Sequence, residues 1–132
     1  MTETNAPECE RCHRALTSAA SIARGRGRAC QAKVDAVAAA AVDVIPAPAL
    51  AKAVAAIGAR AITHRTRALY WAVSSNGKQT YEVDARAGSC TCPAGRHGRR
   101  CYHVYGAAIL AAAGQHERPR YHVYGDIVPA AA

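Results

Sequence analysis

Apolar positions along the chain change period twice, and each change marks an element. Across Gln31–Asp43, Val34, Val37, Ala38 and Ala41 recur at helical spacing, which places them on one face of a helix. The "IPAP" stretch Ile45–Pro48 ends it, because proline lacks the N–H a helix needs and restricts the residue before it. A second helix is predicted over Ala49–Ala61, with Leu50, Val54, Ile57 and Ala61 on its apolar face. From Leu69 the period becomes two. "LYWAVSS", Asn76-Gly77 and "KQTYEVDA" read as a β-hairpin, since Asn-Gly supplies the two positive φ angles of a type I′ turn. That loop sets Ala72 opposite Tyr81 and Tyr70 opposite Val83, and turns Trp71 and Val73 to the other face. "CYHVYGAAILAAA" then returns to a helix over about Cys101–Ala113 that stops at Gly114. Near the N-terminus, Thr17 or Ser18 is placed to cap a short helix ending at Gly25.

These elements give an α+β chain with a small core. Its 132 residues are 51% hydrophobic, but alanine supplies about half of that, with no Phe, one Met and one Trp. Chains with so little large apolar surface need a staple, either a disulfide or a metal. Six cysteines can provide one. No secretory signal opens the sequence, and Asp43, Pro46, Pro48 and Lys52 interrupt the alanine-rich middle, so a cytoplasmic chain without membrane or small-molecule partners is expected. Reduced thiols clustered with histidine then point to metal.

The cysteines form two groups. Cys90-x-Cys92, an eight-residue gap and Cys101-x-His103 bring two ligands from a turn and two from a helix start. Such a set closes one tetrahedral zinc site of structural type. A Cys-x-Cys redox pair is the alternative, although that chemistry favours Cys-x-x-Cys at a strand-to-helix turn. Cys9-x-x-Cys12 followed by Cys30 offers three ligands of a second zinc site, and His13, His64, His116 and His122 are the candidates for its fourth. Two zinc ions are therefore expected.

Tyr81-Glu82-Val83 leading through "DARAGSCTCP" to "GRRCYHVYGAAIL" resembles a SWIM zinc finger over about Arg67–Ala113. The resemblance implies a strand–strand–helix unit with zinc at Cys90, Cys92, Cys101 and His103. It also implies a role in binding DNA or proteins, because such fingers accompany helicase-like ATPases and Mutator-type transposases. "CERCHRALTSAASIARGRGRACQAK" resembles a small zinc-ribbon-like module of unknown function. Three segments are read accordingly: residues 1–32 as that module, 33–62 as a helical connector, and 63–132 as the finger with a C-terminal extension.

Charge adds a partner. The net charge of +8 is concentrated in residues 59–132, where ten Lys or Arg face four acids, and a basic surface of this kind suits a polyanion. Arg96, Arg99 and Arg100 on the knuckle, with Arg65, Arg67 and Lys78 around the hairpin, are the expected contacts to nucleic acid, DNA before RNA. Tyr70, Trp71, Tyr102 and Tyr105 are assigned to the core, with base stacking the alternative. A protein–protein adaptor using the finger as a docking module is the competing function. No catalytic motif or acidic pair is present, so no enzyme is expected. "YHVYG" recurs at Tyr102–Gly106 and Tyr121–Gly125, but Arg120 replaces the cysteine, so the second copy reads as an extended segment rather than a second finger.

Overall fold

A computed structural model describes residues 7–10 and 12–114. Arg118, Arg120, His116, His122 and the second pentapeptide copy lie outside the described residues. The chain runs through α1 (Ala19–Arg24), α2 (Arg28–Ala40), a 3₁₀ turn (Ala41–Asp43), α3 (Ala47–Gly58), β1 (Ile62–Thr66), β2 (Leu69–Val73), β3 (Thr80–Asp84), β4 (Ser89–Cys90), α4 (Pro93–Arg96) and α5 (Tyr102–Ala112). The class is α+β, with one antiparallel sheet in the order β1-β2-β3-β4. No helix among the described residues is long and apolar enough to cross a membrane.

The helices begin and end where local chemistry directs. Ser18 Oγ accepts from Ser21 N–H at 3.1 Å and caps α1, and Gly25 closes it at φ 78°. Pro46 stands at the N-cap of α3, where a missing N–H costs nothing. Both the helix over α2 and the one over α3 match their expected places. The buried face of α3 matches in part, through Ile57. Ala53 and Ile57 are buried while Val54 is exposed, because α3 packs on α5 and a small residue allows the closer approach. Gly106 of α5 faces that contact: a Cβ there would lie 3.8 Å from Ala53 Cβ and 2.3 Å from Ile62 Cδ1.

The hairpin keeps the expected register, with Ala72 paired to Tyr81 and Tyr70 to Val83. Its turn is different. Only Gly77 takes a positive φ (74°), and Asn76 does not. Gly77 N–H instead donates to Ser74 O at 2.8 Å, while Asn76 Oδ1 accepts from Ser74 Oγ and from Lys78 N–H. The Asn side chain closes the loop by hydrogen bonding, and Gly77 alone takes the left-handed conformation. β1 was not expected. It pairs with β2 through Ile62–Ala72 and His64–Tyr70, with Arg67 at φ 52° in the tight connection.

One face of the sheet buries Ile62, Tyr70, Ala72, Val83 and Cys90 under α5, whose residues from His103 to Ala112 are all buried except Tyr105. Val34, Val37, Ala41, Ile45, Ala53 and Ile57 join the same core. The helices over residues 33–62 therefore form one wall of the core that also holds the sheet. α2 is continuous through residues 32 and 33, with Cys30 in a smaller cluster beside Cys9 and Leu16.

Candidate functional site

The sheet delivers the first cysteine of the C-terminal group. Val83 pairs with Cys90 across β3 and β4, and Thr91 extends the pairing: its N–H donates to Glu82 O at 3.1 Å and its hydroxyl accepts Glu82 N–H at 3.0 Å. Cys92 then caps α4, its Sγ accepting Gly95 N–H at 3.4 Å, and Cys92 N–H donates to Cys90 Sγ at 3.4 Å. The gap between the two ligand pairs thus contains a helical turn. Gly95 is required there because a Cβ would come 2.0 Å from Cys90 O. Cys101 stands at the N-cap of α5 and His103 lies in its first turn.

The four donor atoms lie within 4.8 Å of one another, and all four residues are buried or nearly so. His103 Nδ1 is 3.7 Å from Cys90 Sγ and 3.6 Å from Cys101 Sγ. Ligands at zinc–sulfur and zinc–nitrogen bond lengths, spread at the tetrahedral angle, sit about 3.6 Å apart. The donor set therefore fits one zinc ion. Cys90 is held well above the usual thiol range by its hydrogen bond with Cys101 and by burial, and that same bond pulls Cys101 down. Three packed sulfurs cannot all carry charge without a cation, so a proton stays between two of them until metal replaces it. His103 Nε2 has no hydrogen-bond partner among the described residues. Packing orients the ring instead, with Tyr102 at 4.2 Å and Tyr81 at 5.7 Å between centroids.

Cys9, Cys12 and Cys30 form the second cluster, also within 4.8 Å, with Cys12 exposed. A short hairpin carries the first two: Cys9 N–H donates to Arg14 O, His13 N–H to Cys9 O, and Glu8 bridges to Ala15. Gly27 N–H donates to Cys9 Sγ at 3.5 Å, and the first turn of α2 brings Cys30. Two sites are thus positioned for two zinc ions. His13 and His64 are not brought to this cluster. His13 is exposed on a backbone at φ 64°, and His64 Nε2 bonds Arg67 O at 2.8 Å while its ring packs on Tyr70. No fourth Cys, His, Asp or Glu joins the cluster among the described residues.

Arg26 is the residue that sequence reasoning missed. It is 1% exposed, and its guanidinium bonds Gln31 Oε1 (2.9 Å), Glu10 Oε1 (3.3 Å) and Ile57 O (3.3 Å). Burial lowers its pKa and Glu10 opposes the shift. Glu10 also pairs with Arg60 at 3.3 Å. This network joins the N-terminal cluster to the end of α3. Its only trace in the sequence is an arginine between two glycines, a pattern otherwise read as a turn.

The expected basic contacts divide by position. Residues 96–100, including Arg96, Arg99 and Arg100, are all exposed, although Arg96 Nε also bonds Thr91 O at 3.0 Å. Lys78 is exposed in the β2–β3 turn, at the end of the sheet where β4 runs into the knuckle. Arg67 occupies the opposite end. Arg65 stacks 4.8 Å above the Trp71 ring and pairs with Glu82. Trp71 itself is 40% exposed on the outer sheet face, which overturns its assignment to the core. Tyr70 is fully buried as expected, and Tyr102 and Tyr105 are partly buried.

Residues 2–35 match the model of a family of unknown function (DUF6011). The matched span contains Cys9, Cys12 and Cys30, in agreement with the likeness to a small module of unknown function. No curated protein and no solved structure matches the chain.

Proposed function

We propose that this is a non-enzymatic zinc protein that binds nucleic acid, DNA in the first place, through a SWIM-type finger within residues 63–132. The supporting observation is the knuckle. Cys92 and Cys101 bracket a run in which every residue from Arg96 to Arg100 is exposed and three are arginines. A loop tied at both ends by one ion presents those cations at low entropic cost, and phosphate oxygens are the partner they match. The order of elements supports the finger reading, with Cys90 at the end of a strand and Cys101 and His103 at the start of the helix packed on that strand's sheet.

Binding of this kind falls with salt, because each neutralised phosphate releases counterions. Fluorescence anisotropy of the zinc-loaded protein with labelled DNA across a salt series tests it. In an Arg96/Arg99/Arg100→Ala variant the log–log slope becomes shallower by about one unit for every phosphate that is no longer neutralised. Wild-type protein that binds no DNA or RNA at physiological salt, or a variant with an unchanged slope, ends this reading in favour of a protein adaptor.

A further inference from the structure

Two neighbouring hollows lie on the face between α3 and the knuckle. The larger, 380 Å³, lies between Lys52, Ala56 and Ser75; the smaller, 240 Å³, is lined by Tyr81, Pro93 and Ala94 together with the metal ligands Cys92, Cys101 and His103, so its floor is the metal site. Ser74, Ser75 and Tyr102 line both. The cleft thus runs from a lysine on α3, past two tyrosine rings, to the loop that carries Arg96, Arg99 and Arg100. Lys78 stands in the turn that also supplies Ser74 and Ser75. No acidic side chain is found among the described lining residues of either hollow.

We propose that this cleft binds an unpaired nucleotide of a single-stranded nucleic acid, with a base against Tyr102 and the flanking phosphates between Lys52 and the knuckle arginines. The inference rests on the nucleic-acid reading above and adds the strand form and the place. A tyrosine ring in a hollow lined by Lys52, with Pro93 and Ala94 of the arginine-bearing knuckle at its other rim, suits a π-face joined to a polyanion. Stacked bases inside a duplex present edges only, so the ring is reached by a splayed base alone. The Ser75 hydroxyl supplies a hydrogen bond that any base edge can use, which makes the contact tolerant of sequence, while Ser74 Oγ is held by Asn76 and Gln79. The recess owes its shape to the metal site, since Tyr102 sits between Cys101 and His103 and packs on the His103 ring.

Zinc-loaded full-length protein is titrated against a labelled oligothymidine of about 12 nucleotides, within the span that one such groove covers, and against a duplex of equal length. The single strand binds more tightly. Lys52→Glu and Ser75→Glu, both at exposed positions outside the metal cluster, each weaken single-strand binding about tenfold, the scale of removing one stacking or phosphate interaction. Tyr102→Phe retains binding and Tyr102→Leu abolishes it, with zinc content measured for every variant. Equal or tighter duplex binding, or wild-type affinity in both glutamate variants while the triple-arginine variant fails to bind, overturns the cleft and leaves the nucleic-acid reading standing. Absence of all nucleic-acid binding in the wild type overturns both.

Discussion

Single residues decide whether the C-terminal cluster can close. Cys90, Cys92, Cys101 and His103 stood out by type and spacing, because few uses other than metal place three thiols and an imidazole so near in sequence. The residue that lets them meet is Gly95, which carries no chemistry and no unusual φ. Its role arises from the 2.0 Å approach to Cys90 O, a contact made across a turn and invisible in spacing. Gly95→Ala forces that carbonyl away and strains the knuckle by roughly 1–3 kcal/mol, the usual range for overpacking. Zinc content measured by a chromogenic chelator is expected to fall from two ions per chain toward one, with the loss confined to the C-terminal site. Trp71 shows the limit of reading by residue type. The lone tryptophan of an alanine-rich chain is a natural core residue, yet strand alternation puts it on the face away from Tyr70 and Ala72, and Arg65 covers it instead.

At the scale of elements, α2 connects two clusters that the sequence separates. Its first turn supplies Cys30 to the N-terminal cluster, and its later turns supply Val34 and Val37 to the main core. Arg26 adds a second link by bonding Glu10, Gln31 and the Ile57 carbonyl of α3 at once. Removing one member of a buried ion pair strands the others without solvent. Arg26→Ala is therefore expected to destabilise the fold by about 3 kcal/mol, read from the midpoint of urea unfolding at constant slope. Glu10 keeps Arg60 as a partner in that variant. A change below about 0.5 kcal/mol, typical of surface sites, would show that the N-terminal module and α3 are not mechanically joined. Hairpin register was legible because alternation of apolar residues admits one pairing. The turn type was not, since Asn76 had two ways to satisfy the loop and its side chain took the less obvious one. β1 was missed because "ITHRT" is short and polar, and its strand character comes from pairing with β2 rather than from its own pattern.

For the whole molecule, the composition of the core sets the dependence on metal. Ala41, Ala53, Ala72, Ala85, Ala107, Ala108, Ala111 and Ala112 make up a large share of the main core, beside Val, Ile, Leu and Tyr side chains. A buried methyl contributes far less than a buried Leu or Ile, at about 0.8 kcal/mol per carbon. Excess chelator is expected to abolish the cooperative thermal transition, as in other domains where metal binding is part of the folding free energy. Circular dichroism through a thermal scan, with and without EDTA, checks this; an unchanged sharp transition would mean that the alanine core stands alone. The sequence by itself determined the α+β class, the strand register of the hairpin, and which seven side chains group as candidate metal ligands, because period, turn residues and ligand spacing are local properties. The burial of α5 on nearly all sides, the tie through Arg26, the exposure of Trp71 and the cleft beside Tyr102 were decided only by tertiary structure. Each depends on two segments that approach across a long stretch of chain, and no local pattern records which partner a side chain will meet.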